Sequence, residues 1–168
     1  VNKGELKVGD VVTVSVDLKK RRLIERNHSA THLMHSALMN VLGEHVKQMG
    51  SYVDENYLRF DFMSNRKLSE QEIASINDEV NEKIVESIPE VTEILPIEEA
   101  KNRGAEMEFS EKYGKVVRVV EFGEYSREFC GGTHVKNSAD IGLFIIESED
   151  AVASGVRRIT ARTSLGAY

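Results

Sequence analysis

The sequence predicts an α+β fold, a mostly antiparallel sheet with two long helices packed on one side. Three observations lead there. Residues 28–42 and 69–87 carry apolar side chains at the 3.6-residue period of amphipathic helices. Shorter stretches between and after them alternate polar and apolar residues, or run apolar, between Gly, Pro, Asp and Asn punctuation. The 168 residues, 40% hydrophobic and 30% charged, suffice for one core and contain no apolar run of membrane-spanning length.

Residues 4–18 open with Gly4 and a Gly9-Asp10 turn. Val12, Val14 and Val16 then alternate with polar residues, which predicts a half-buried strand of a small β unit. The run Lys19-Lys20-Arg21-Arg22 reads as a solvated face that could touch a phosphate backbone. Asn27 is a good N-cap, so a helix is expected over 28–42, ended by Gly43. Ala30, Leu33, Met34, Ala37, Leu38, Val41 and Leu42 form its core stripe, and His28, Thr31, His32 and His35 lie beside it.

Residues 46–53 and 57–62 predict two strands, the second with Leu58, Phe60 and Phe62 on one face. Ser69 and Glu72 form a capping box that opens a helix to about Ser87. A strand over 90–95 and a short helix from Ile97 to Arg103, stopped by Gly104, follow. Val116 to Val120 is the most apolar strand and is expected at a sheet centre. Tyr125 to Phe129 leads into a loop at Cys130, and residues 142–147 and 155–163 supply two further strands.

A net charge of −6 argues against non-specific nucleic-acid binding through the overall field, so any such partner would need local basic patches. One cysteine excludes an internal disulfide and suits the cytosol, where a lone Cys more often binds metal or is catalytic. The N-terminus has neither an initiator Met nor a signal region, which suggests a piece of a longer polypeptide.

Two short motifs carry chemistry. His28 and His32, four apart, share one helix face and can grip one ion. Cys130 and His134 offer a second pair about a hundred residues later, with Gly131 and Gly132 allowing a tight turn between them. Zinc favours four-coordinate imidazole and thiolate sets supplied as such pairs, which places a Zn2+ site between the first helix and this late loop. Ser29 stands where a metalloprotease helix would carry Glu, and the Cys-x-x-Cys half of a nucleobase deaminase is absent. His35 lies near the same face and reads as a supporting histidine; His45, after the helix, has no strong claim.

Five segments occur in one order: His28-Ser29-Ala30-Thr31-His32-Leu33, Gln48-Met49-Gly50-Ser51, Leu58-Arg59-Phe60-Asp61-Phe62, Cys130-Gly131-Gly132-Thr133-His134 and Ser154-Gly155-Val156-Arg157-Arg158-Ile159. Together they resemble the editing domain of bacterial alanyl-tRNA synthetase over nearly the whole chain. Threonyl-tRNA synthetase has a related domain, but the Cys130-Gly131-Gly132-Thr133-His134 loop and the Arg59-Phe60-Asp61-Phe62 strand favour the alanyl family. The resemblance implies that residues 1–22 are the tail of a preceding β-barrel and that 23–168 form a tRNA editing domain.

It further implies hydrolysis of serine or glycine esters on tRNA(Ala), with His28, His32, Cys130 and His134 as zinc ligands and catalytic centre. Thr31, Gln48 and Ser51 would line the amino-acid pocket. Arg157, Arg158, Lys20 and Arg21 are candidates for the tRNA acceptor end. Implied partners are misacylated tRNA(Ala) and the remainder of a synthetase polypeptide, in the cytoplasm and away from membranes. No ATP-binding or class II catalytic motif is visible, so the chain is not expected to aminoacylate by itself. Two alternatives share the motifs: a non-catalytic zinc or tRNA-binding module, and a freestanding editing protein.

Overall fold

The computed structural model of the protein describes residues 3–43, 46–107 and 113–167; His45 lies outside them. Helix α1 (Leu18–Leu42) is the element that positions the rest. It starts well before the expected residue 28. Asp17 is the cap, its side chain accepting from the Lys20 backbone N–H at 3.0 Å. Residues 18–26 are mostly good helix formers with no Gly or Pro among them, so nothing stops the helix from propagating back to Asp17. Asn27 is therefore not a cap but a buried bridge. Its Nδ2 donates to the Asp54 carbonyl at 2.8 Å, and its Oδ1 accepts from the Thr163 hydroxyl at 2.7 Å. Gly43 ends the helix as expected, with φ +107° and its N–H on the Met39 carbonyl.

The strand expected over 4–18 does not form. Among the described residues, 3–17 contain no strand and are exposed throughout, including Val12, Val14 and Val16. An alternating pattern becomes a strand only when a neighbour takes its backbone bonds and one of its faces, and no described segment does so.

After α1 come β1 (Gln48–Val53), β2 (Leu58–Met63), α2 (Glu70–Val85), β3 (Glu90–Pro96), α3 (Ile97–Asn102), β4 (Val116–Phe122), β5 (Ser126–Phe129), β6 (Phe144–Ala153) and β7 (Val156–Thr163). The antiparallel character holds, but the strands divide between two sheets, β1-β2-β7-β6 and β3-β4-β5, with β4 central in the second as expected. The capping box is present in full: Ser69 Oγ accepts from the Glu72 N–H, and the Glu72 carboxylate accepts from the Ser69 N–H.

The main core lies between the four-stranded sheet and helices α1 and α2. Ala30, Leu33, Met34, Ala37 and Leu38 meet Ile76 and Val80 of α2 and Leu58, Phe60, Phe62 and Ile159 of the sheet. Burying each large apolar side chain is worth about 1.5–3 kcal/mol. Strand β4 serves two cores: Val120 and Phe122 enter this one, while Val117 and Val119 pack with Leu95, Ala100, Ala105 and Phe129 in a smaller cluster beside α3. This shared strand brings the end of β5, and with it Cys130, against the middle of α1.

Candidate metal centre and adjoining cavity

The middle of α1 is buried on nearly every side, from Ser29 through Leu38. His32 therefore sits in the interior, and His28 one turn earlier reaches the edge of the Cys130 loop. The nitrogen and sulfur atoms of His28, His32, Cys130 and His134 all lie within 4.8 Å of one another. Cys130 Sγ is 3.4 Å from His28 Nε2 and 3.3 Å from His134 Nε2. A tetrahedral ion with metal–nitrogen and metal–sulfur bonds of usual length separates such ligands by about 3.5 Å. Both ligand pairs expected from the sequence are thus brought together.

Hydrogen bonds fix how the rings are presented. His28 Nδ1 is 3.1 Å from the Thr133 carbonyl oxygen. A carbonyl only accepts, so Nδ1 carries the proton and Nε2 keeps its lone pair toward Cys130. His134 Nδ1 lies 3.1 Å from Ser29 Oγ, which also accepts from the Val135 N–H at 3.1 Å. His32 Nδ1 is buried and has no hydrogen-bond partner. A buried ring nitrogen without a partner, on a histidine of this cluster, is what a metal would satisfy, and the donor set of three imidazoles and a thiol fits a soft-to-borderline cation. Burial disfavours the charged imidazolium, so all three rings titrate below the usual histidine range, His32 at about 3 and His134 at about 2. They are neutral at pH 7, the form in which an imidazole can bind a metal.

Gly132 has a different purpose from the one its motif suggested. Neither Gly131 nor Gly132 has a positive φ. A Cβ on Gly132 would lie 2.1 Å from His28 Cε1 and 2.7 Å from Nδ1, so the glycine makes room for the ring rather than for a turn. Two side chains unsuspected from the sequence complete the surroundings. Glu128 reaches His35 Nδ1 at 3.1 Å and His32 Nε2 at 3.6 Å. Burial pushes its carboxyl up, but the neighbouring histidines outweigh this and lower it. His35 is correspondingly raised: burial opposes its charge, and the Glu128 hydrogen bond and charge prevail. The other is Arg118, which donates to the Cys130 and Gly132 carbonyls at 2.7 and 2.8 Å. A charged residue amid the valines of β4 was its only signal.

One face of the cluster opens on a cavity of about 180 Å³. His28, His32 and Cys130 form part of its wall, with Thr31, Gln48 and Ser51 completing the set anticipated from the sequence. Glu106, Glu128 and His35 also line it. Thr31 Oγ1 donates to the Asn27 carbonyl at 2.9 Å, so its hydrogen is committed and only lone pairs remain for a guest. Gln48 Nε2 lies 3.4 Å from Ser51 Oγ.

The basic candidates lie elsewhere. Arg157 pairs with the buried Glu149, and Arg158 with Asp61 at 2.7 and 2.8 Å, and neither lines this cavity. Lys20 pairs with Glu55 at 2.9 Å, and Arg21 is exposed on α1.

A half-buried three-histidine, one-cysteine cluster beside a small polar cavity, on an α+β scaffold, has recognisable relatives. Residues 117–160 match the family described as the threonyl and alanyl tRNA synthetase second additional domain. Over 98% of its length the chain is 52% identical to an alanine–tRNA ligase of Lachnoclostridium phytofermentans. Over its full length it is 53% identical to that of Listeria innocua, and over 97% of its length 53% identical to that of Anaeromyxobacter dehalogenans. It spans 19, 19 and 18% of those relatives respectively. The chain belongs to the alanyl-tRNA synthetase family and corresponds to its editing region. No helix among the described residues is long and apolar enough to cross a membrane.

Proposed function

We propose that this region hydrolyses the ester of serine or glycine misattached to tRNA(Ala), using a Zn2+ ion held by His28, His32, Cys130 and His134. The observation that carries the reading is the shared wall: Thr31, Gln48 and Ser51 line the same small cavity as three of the four metal-binding side chains. A purely structural ion would not need polar groups gathered in that cavity. The similarity to alanine–tRNA ligases supplies the substrate class.

The chemistry follows from what a synthetic pocket for alanine cannot do. Such a pocket rejects glycine, or an analogue adding only a hydroxyl, by about 10–200-fold. A second site that pairs with the serine hydroxyl can reject alanine, which would leave that site's polar group unpaired. Thr31 is suited to the task because its oxygen can only accept there, from a serine hydroxyl or an α-ammonium. Gln48 and Ser51 supply further polar contacts across the cavity. The carboxylates of Glu106 and Glu128 complement the ammonium's charge. Bound zinc would supply a Lewis acid beside the negative charge that develops on the ester carbonyl. The nucleophile is water, since a thiol committed to metal is a poor one. The tRNA acceptor end and the rest of a cytoplasmic synthetase are the partners in this reading, with Lys20, Arg21, Arg157 and Arg158 as candidate contacts. The segment before α1 would be the tail of a preceding β-barrel, shorter than the expected 1–22 because residues 18–22 belong to α1.

One observation favours a second reading. Four protein ligands describe a closed, structural site, whereas catalytic zinc usually keeps a position open. The test that separates them is Thr31→Val, which keeps the shape and removes the acceptor. Deacylation of Ser-tRNA(Ala) should fall roughly tenfold, the worth of one hydrogen bond, while Gly-tRNA(Ala) is affected less. Unchanged rates for both esters would reject the sieve.

A further inference from the structure

Arg118 stands among the valines of β4, and among the described residues its guanidinium forms no ion pair with a carboxylate. Nη1 donates to the Cys130 carbonyl at 2.7 Å and to the Gly132 carbonyl at 2.8 Å, and Nη2 donates to Thr92 Oγ1 at 3.1 Å. Its own backbone carbonyl accepts from the Cys130 N–H at 3.0 Å. The proton count closes. Thr92 gives its hydroxyl hydrogen to Glu90, so its oxygen is free to accept from Arg118. Glu90 is anchored in turn by Lys136 at 3.0 Å.

The two carbonyls that Arg118 takes lie on either side of the Gly131–Gly132 peptide. That peptide's N–H, on Gly132, points at Cys130 Sγ from 3.5 Å. Among the described residues nothing lies within 4 Å of where a Cβ on Gly131 would be, so the loop is open on that side. A planar fork with two fixed N–H directions can pin two oxygens at once, which a single ammonium does poorly.

We propose that Arg118 is a positioning residue for the metal centre: by clamping the Cys130 and Gly132 carbonyls it holds the thiolate in ligand geometry and so governs how long the ion is retained. This rests on the metal reading above and adds a residue to it. The mechanism is kinetic. Loss of the clamp frees the glycine loop, Cys130 departs first, and the three neutral imidazoles are left to hold the ion alone.

The test loads the 168-residue chain with Zn2+ and follows release to an excess of chromogenic chelator, with the urea midpoint of the metal-free chain measured alongside. Arg118→Met should release zinc about 10–100-fold faster than wild type, in line with the loss typical when a partner holding a metal ligand is removed. Arg118→Lys should fall between the two. Thr92→Val, which removes only the outer anchor, should accelerate release less, in the same direction, and its folding midpoint should stay near wild type. Wild-type release rates in a folded Arg118→Met chain would overturn the proposal. If that variant does not fold, an unchanged rate in Thr92→Val overturns it. A wild-type chain that takes up no zinc would instead defeat the metal reading itself, a distinguishable result.

Discussion

Gly132 shows how a single missing atom can set the chemistry of a site. The His28 ring occupies the volume that any side chain at 132 would need, with the nearest ring atom 2.1 Å from a built Cβ. Gly132→Ala must therefore push the ring or the loop aside, and either movement separates Nε2 from Cys130 Sγ. We expect the variant to fold with a near-normal urea midpoint and to bind zinc at least tenfold more weakly in a competitive chelator titration. Wild-type affinity would show that the ring can yield without cost. The gathering of His28, His32, Cys130 and His134 was legible in the sequence because paired spacing is a direct imprint of geometry. Glu128, Ser29 and Arg118 were not, because their roles depend on which segments meet in space, and no local pattern encodes that.

At the scale of elements, α1 carries both stability and site. Asn27 ties it to the turn after β1 and to the end of β7 through two hydrogen bonds. Asn27→Ala leaves the Asp54 carbonyl and the Thr163 hydroxyl without these partners. At about 2 kcal/mol for such unpaired groups, Tm should drop by roughly 4–8 °C. A shift within 1–2 °C would mean that water replaces the bridge. The sequence indicated an N-cap here because Asn favours that role locally; the tertiary partners that override the preference lie far along the chain.

The α2 capping box makes a pH prediction. The Arg66 hydrogen bond, then the Ser69 N–H, hold the Glu72 carboxyl at about 2, below its usual 4.5. Its folded-state pKa is depressed, so its contribution is present above pH 4.5 and is lost as pH falls toward 2. The stability difference between wild type and Glu72→Gln, read from urea midpoints, should shrink across that window. A difference independent of pH would contradict the assignment.

For the molecule as a whole, class and element order were legible, because helical period, strand alternation and the capping box are properties of short windows. The division into two sheets was not. It depends on β4 offering one set of side chains to the main core and another to a second cluster, which a run of valines does not announce. The alternation of residues 12–16 misled for the complementary reason, since a strand requires a neighbour. What the two sheets and α1 achieve together is the placement of a His/Cys cluster that could hold a metal against a small cavity with polar groups on its wall. The most direct test of that account compares deacylation of Ser-tRNA(Ala) and Ala-tRNA(Ala) by the zinc-loaded chain, by the same chain stripped of metal, and by Cys130→Ala. The account predicts rapid loss of the serine ester, slow loss of the alanine ester, and collapse of that difference when zinc or the thiolate is removed. Equal background loss of both esters in all three samples would contradict it.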